Sequence, residues 1–233
     1  MPILRKVLAS ALNQRFAVFF LILLTLLLLP PYFRDITWVK YIWRGLLTAT
    51  LLWAIFAVSS SHRALILTAL ILLPTLISTW LGITGDASIE VHYVDNLTNI
   101  AYFGLICAYL ATFIFTTRRV TSEVLFASMC FYILLAVLWG AIYTNIELFF
   151  GDAFTFYGSS AAVAGIERDD LFSYLNYYSF ITLSTLGYGE IIPVHPVARS
   201  WSAVEAMVGQ FFIAIVVARL VALYTMEQSS GRN

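Results

Sequence analysis

Residues 171–193, LFSYLNYYSFITLSTLGYGEIIP, decide the fold. The first part, Leu171 to about Ser184, has the residues of a helix, and Asp169 or Asp170 just before it can cap the free N–H groups. Fourteen helical residues rise only about 21 Å, too short to cross a bilayer and return. The continuation, Ser184-Thr185-Leu186-Gly187-Tyr188-Gly189-Glu190, is irregular and glycine-bearing, and Pro193 stops the structure beyond it. A short helix followed by such a segment is a re-entrant loop. Irregular backbone survives at membrane depth only where protein buries it or where it lines a water-filled path.

Stripping water from a bare cation takes rings of oxygen at matching spacing. Successive carbonyls supply them only if several point the same way, which needs residues that tolerate positive φ. Gly187 and Gly189 do so without steric cost. Thr185 adds a hydroxyl ring below the carbonyls, and the C-terminus of the preceding helix aims partial negative charge inward. One strand cannot encircle an ion, so several identical chains must close around an axis. One copy of the motif per chain implies a homotetramer.

Outward from this stretch the chain reads as membrane protein. Hydrophobic residues make up 61% of it and charged residues 11%, about half the charged share of an average soluble domain. One core cannot hide that much apolar surface, so the excess must face lipid. Six stretches, near 16–33, 40–59, 64–82, 98–117, 124–147 and 199–224, reach the roughly 20 residues a spanning helix needs. The expected fold is therefore an all-α membrane protein of six transmembrane helices, with the re-entrant helix and loop between the fifth and sixth. Residues 1–123 form a four-helix membrane domain, 124–224 a domain around the loop, and 225–233 a short cytoplasmic tail. Residues 148–170 read as an outer turret.

Six spans put both termini on one side. With them inside, eight of the thirteen basic residues are cytoplasmic, Arg118, Arg119 and Arg219 among them, and five are outside. This follows the positive-inside bias and places the chain in a cell membrane with cytoplasmic ends. Nine acids, including Glu147, Asp152 and Glu190, fall outside; a field around an outer mouth and plain loop solubility are both open readings. The balanced charge gives no sign of a nucleic-acid partner. Cys107 and Cys130 sit in apolar runs as packing residues. His62, His92 and His195 lack metal-ligand spacing, and no nucleophile–base pair or phosphate loop is visible, so no enzyme activity, organic cofactor or small-molecule substrate is expected.

YYSFITLSTLGYGEIIP resembles the pore signature of potassium channels, commonly written T-V-G-Y-G-D, and the similarity covers about residues 124–224. Filters in which carbonyl rings replace the hydration shell of an ion are best known from this family itself. The resemblance implies a potassium-selective channel subunit with passive conduction through a central pore. K+ would be coordinated by the Thr185, Leu186, Gly187 and Tyr188 carbonyls and the Thr185 hydroxyl, with Gly189 closing the filter. Ser184, Tyr178 and Glu190 would support it. Leu186 replaces the usual valine, Glu190 the common aspartate, and Ile181 an acid found in some relatives. Tyr178 either donates a hydrogen bond toward Tyr188 or packs as an aromatic. A weakly selective cation pore is the rival within channels, and a secondary transporter the rival outside them, although transporters show paired broken helices and this loop occurs once.

Counting on from the filter, Gly209 is either an inner-helix hinge or a close-packing glycine. Ile213 and Val217 would line an apolar cavity. Glu205, the one acid predicted within a span, is costly there and faces protein or water. It is either fixed by a pore-helix hydroxyl such as Ser179 or Thr182, or an element through which protons modulate opening. The first four spans mirror a voltage-sensor layout, but residues 98–117 hold no basic residue, and a sensor needs several inside the membrane. No steep voltage-dependent activation is therefore expected. A gating charge of several units per tetramer in a patch recording would sink this expectation.

Overall fold

The computed structural model describes residues 14–29, 32, 45, 48–54, 62–81, 89–157 and 168–230. Its elements are helices α1 (Arg15–Leu28), α2 (His62–Leu81), α3 (Ile89–Thr116) and α4 (Ser122–Phe150), strand β1 (Phe154–Phe156), helix α5 (Arg168–Leu183), strand β2 (Ile191–Pro193) and helix α6 (Pro196–Ser230). Three stretches are long and apolar enough to cross a membrane among the described residues: Asn96–Thr116, Ser122–Phe150 and Pro196–Thr225. Of the other expected spans, the first is represented by α1, at 14 residues, and the third by α2, at 20. Most of the second, 40–59, lies outside the described residues.

Hydroxyl chemistry in these helices suits an environment without water. Thr25, Thr75, Thr112, Ser128, Thr144, Ser200 and Thr225 each donate to the carbonyl four residues back, at 2.8–3.0 Å. A polar group away from water needs a protein partner, and the carbonyl one turn back is the nearest available.

The chain divides into two compact units. The first is made of residues 1–85 and 105–131. Its described core holds Phe16, Phe19 and Leu23 of α1, Ile106, Leu110 and Ile114 of α3, and Val124, Ala127 and Cys130 of α4. The Phe16 and Phe113 rings lie 4.9 Å apart, with the Arg15 guanidinium 4.9 Å from the Phe16 ring centre. The Trp53 indole N–H donates to the Arg15 carbonyl at 3.2 Å. Apolar burial supplies the cohesion, and the indole bond satisfies a donor that would otherwise be buried alone.

The second unit, residues 86–104 and 132–233, carries the stretch 171–193. Its centre is a triangle of rings, Tyr143 of α4, Phe154 of β1 and Tyr178 of α5, with centroids 5.2–5.4 Å apart and all three pairs edge-on. Edge-on pairs let the positive ring edge meet the negative face, adding to the area buried. Trp139 and Trp201 extend the cluster, 5.2 Å apart. At Gly140 the α4 backbone passes so close to α5 that a Cβ would stand 2.8 Å from the Asn176 Cα.

The all-α expectation needs one correction. The turret contains β1, which pairs antiparallel with β2 in the register Phe154↔Pro193, Thr155↔Ile192, Phe156↔Ile191. Phe-Thr-Phe and Ile-Ile are strand-forming residues. A turn at Gly151 (φ 60°) and Asp152 (φ 50°) aims the chain back from the end of α4. The Glu147 carboxylate then accepts the Phe154 N–H at 2.9 Å. Boundaries shift as well. α4 runs on to Phe150, and α6 starts at Pro196 and continues to Ser230, so most of the short tail is helical. α5 begins at Arg168, which puts Asp169 and Asp170 within its first turn instead of at the cap position.

Two glycine substitutions test the packing. Gly140→Ala forces α4 and α5 apart and is expected to cost about 1–3 kcal/mol. Gly104→Ala meets open space and is expected to be neutral or to stabilise its helix by up to about 1 kcal/mol. Thermal unfolding in detergent should therefore show the first variant melting well below wild type and the second at or above it.

Candidate functional site

The site begins where α5 stops. Beyond Leu183 the helix closes by turning amides back onto its last carbonyls. Thr185 N donates to Thr182 O at 3.0 Å, Leu186 N to Ile181 O at 2.8 Å and Gly187 N to Ile181 O at 3.1 Å. The Ser184 hydroxyl adds a bond to Phe180 O at 2.6 Å. The orphan carbonyls of the helix end are satisfied in this way, and the first residues of the following strip are anchored.

Along that strip φ is positive at every second residue: 60° at Thr185, 54° at Gly187 and 89° at Gly189. Leu186 and Tyr188 are not in that region. Alternation of this kind reverses successive peptide planes, so a run of carbonyls can face one side. Glycine takes such angles freely, whereas Thr185 bears a cost of about 1–2 kcal/mol. A strained non-glycine residue held by its neighbours is a feature of functional backbone. The strip is uncovered in the single chain, with Leu186 58% and Tyr188 68% exposed.

The outer end is held through Glu190, by backbone and side chain together. Its carbonyl accepts the Tyr157 N–H at 2.6 Å, which extends the β1–β2 ladder to the last residue of the strip. Its carboxylate accepts a hydrogen bond from the Tyr177 hydroxyl. The possible bond from Tyr178 toward Tyr188 is not made within the chain. The Tyr178 hydroxyl donates instead to Ser202 Oγ at 2.7 Å, and Ser202 in turn donates to Ala198 O at 2.8 Å.

Glu205 of α6 is fully buried, at 0% exposure. The Tyr143 hydroxyl of α4 donates to one carboxyl oxygen at 2.5 Å, and Ser179 of α5 is hydrogen-bonded to the other. Ser179 is also 2.8 Å from Ala136 O of α4. One carboxyl group thus joins three helices. Four residues on, a Cβ on Gly209 would collide with the Leu183 carbonyl, so the close-packing reading of Gly209 has its contact here. Ile213 and Val217 are exposed on α6.

Sequence reasoning missed Tyr143, Ser202, the Tyr177–Glu190 pair and Gln210. The amide of Gln210 donates to Thr185 Oγ1 at 3.3 Å. A usable signal existed only for Gln210, which stands three and seven residues before Ile213 and Val217 and so shares their helix row. No group of three or more His, Cys, Asp or Glu able to hold a metal occurs among the described residues. The oxygen atoms of the strip Thr185–Gly189 are carbonyls and the hydroxyls of Thr185 and Tyr188, a neutral set that suits a hard, weakly held cation.

The Glu205 junction is testable. Glu205→Ala takes the acceptor from the buried Tyr143 hydroxyl, leaves Ser179 with the Ala136 carbonyl alone and opens a void, for an expected loss of about 2–4 kcal/mol. A carboxamide can accept from Tyr143 and donate to Ser179, so Glu205→Gln is expected to stay within about 1 kcal/mol of wild type. Denaturant unfolding followed by tryptophan fluorescence measures both; equal loss in the two variants would contradict the assignment.

Residues 111–226, just under half of the chain, match a family model described as an ion channel. The matched segment contains all of α4, α5 and the strip, and nearly all of α6. The match supports an ion channel, and with the apolar helices it supports a membrane protein. No curated protein matches the chain.

Proposed function

We propose that the chain is a subunit of a potassium-selective channel, in which four identical copies surround a central pore and conduct K+ passively. The observation that carries this reading is the alternation of positive φ at Thr185, Gly187 and Gly189 in a strip anchored at both ends. In this reading the Thr185, Leu186, Gly187 and Tyr188 carbonyls and the Thr185 hydroxyl replace the hydration shell of K+. Ser184 and Glu190 hold the ends, and Tyr178 braces the pore helix from behind. Ile213 and Val217 line the inner cavity, and Gly209 and Glu205 set how the inner helix sits against the pore helix.

Exposure supports the assembly. Only 11% of the most apolar window of α6 is buried, and Val204, Met207, Phe211, Ile213, Ile215, Val217, Val221 and Tyr224 are all uncovered. Lipid covers one side of such a helix. The side bearing the exposed strip needs copies of itself, and a closed ring is the usual symmetry. With six spans and the positive-inside bias, both termini lie in the cytoplasm.

The alternative is a weakly selective cation pore built from the same parts; a transporter fits less well because the loop occurs once. Flux into liposomes separates the three. Passive, barium-sensitive K+ flux supports the proposal, equal Na+ permeation the weakly selective pore, and saturable, gradient-coupled flux the transporter.

Gly187→Ala tests the strip itself. A Cβ there meets nothing within 4 Å, so the substitution acts through backbone conformation, with a penalty of about 1–2 kcal/mol per chain for positive φ. The variant is expected to insert and assemble while conduction is lost or no longer selective. K+-selective currents of wild-type size would overturn the filter assignment.

A further inference from the structure

Gln210 is the polar member of an otherwise apolar row on α6. Its side chain is exposed, as are Ile213 and Val217 farther along the same row. Its amide nitrogen is 3.3 Å from the Thr185 hydroxyl oxygen. The neighbouring glycine makes this approach possible, because at Gly209 the α6 backbone lies against the Leu183 carbonyl with no room for a Cβ. The Glu205 carboxyl, bonded to Tyr143 and Ser179, fixes the same stretch of α6 one turn earlier. Gln210 is therefore delivered to Thr185 by two contacts that fix its helix.

A threonine hydroxyl has one proton and two lone pairs. The Thr185 backbone is already held by its amide bond to Thr182 O at 3.0 Å, so rotation of the hydroxyl is the freedom that remains. An amide N–H on one lone pair removes that freedom and leaves the other lone pair for a cation. We propose that Gln210 is a positioning residue of the ion path: its amide orients the Thr185 hydroxyl and thereby sets how strongly the inner end of the strip binds a cation. The inference rests on reading the strip as a filter enclosed by four chains, which makes four such amide–hydroxyl pairs.

Ba2+ is a suitable probe, since it is close to K+ in size and its double charge magnifies any change in the oxygen ring. Purified protein in planar bilayers would be titrated with Ba2+ on the cytoplasmic side. Gln210→Met keeps the side-chain length and removes the amide. It is expected to weaken block by about tenfold, the upper end of what one neutral hydrogen bond contributes. Gln210→Asn keeps the amide but falls one methylene short of Thr185, and is expected to behave like Gln210→Met. Gln210→Glu replaces the donor by an anionic acceptor and is expected to tighten block by on the order of tenfold or more. The yield and thermal stability of assembled channel should stay at wild-type values in the methionine and asparagine variants, a separation that a purely structural role would not give. Block changed by less than about twofold in both variants, below what a hydrogen bond contributes, overturns this inference and leaves the pore reading standing. Absence of barium-sensitive K+ flux in wild type overturns both.

Discussion

A strip of backbone with alternating hands keeps its shape only if both ends are fixed. The inner end, Thr185 to Gly187, is tied by three amides to the last turn of α5. The outer end is tied at Glu190, where the carbonyl pairs with Tyr157 and the carboxylate with Tyr177. Each tie also satisfies a group that would otherwise be stranded, which in a low-dielectric surrounding costs more than the bond returns in water. The β1–β2 ribbon therefore extends the anchoring of the strip to the end of α4, through the Glu147 carboxylate on Phe154 N.

The same economy of partners governs the packing behind the strip. Tyr143, Ser179 and Glu205 come from α4, α5 and α6, and Tyr178 and Ser202 add a second link between α5 and α6. Around these polar links lie rings in edge-on contact and two glycines whose backbones touch α5. Apolar packing in such a layer is non-directional, whereas the hydroxyl–carboxyl bonds accept only one register of the three helices. That division explains why an acid stands in the middle of an apolar helix. It specifies which face of α6 meets α5, at a point where Gly209 permits the closest approach.

Much of this was legible in the sequence, for identifiable reasons. The strip could be placed because its glycines mark positions that need positive φ, and the structure has that angle at both. Helices α4 and α6 could be placed because apolar runs of spanning length are hard to mistake. Glu205 stood out because a lone acid in such a run demands partners, and Ser179 is one of the two candidate hydroxyls. Tyr143 was not legible, since its distance along the chain from Glu205 carries no periodic signal. Nor was β1: Phe154-Thr155-Phe156 is a three-residue strand inside a glycine-rich loop, and only pairing with Ile191–Pro193 makes it one. For Tyr178 the sequence left a bond toward Tyr188 and aromatic packing both open. Within the chain its ring packs on Tyr143 and Phe154 while its hydroxyl turns to Ser202.

The surface of α6 sets what must surround the chain. Gln210, Ile213 and Val217 form one row, and Val204, Phe211, Ile215 and others lie elsewhere on the same helix. Hydrocarbon can cover an all-apolar face, but an exposed amide bonded to an equally exposed threonine is unsuited to it, because the remaining amide groups would face hydrocarbon without partners. Water or protein must meet that row. The strip of Thr185–Gly189 continues the same requirement with a run of carbonyls that need a ligand or a solvent. Polar accounting thus argues against lipid at this face. In the channel reading proposed above, an enclosed aqueous axis shared by several copies of the chain would satisfy the amide, the hydroxyl and the carbonyls together.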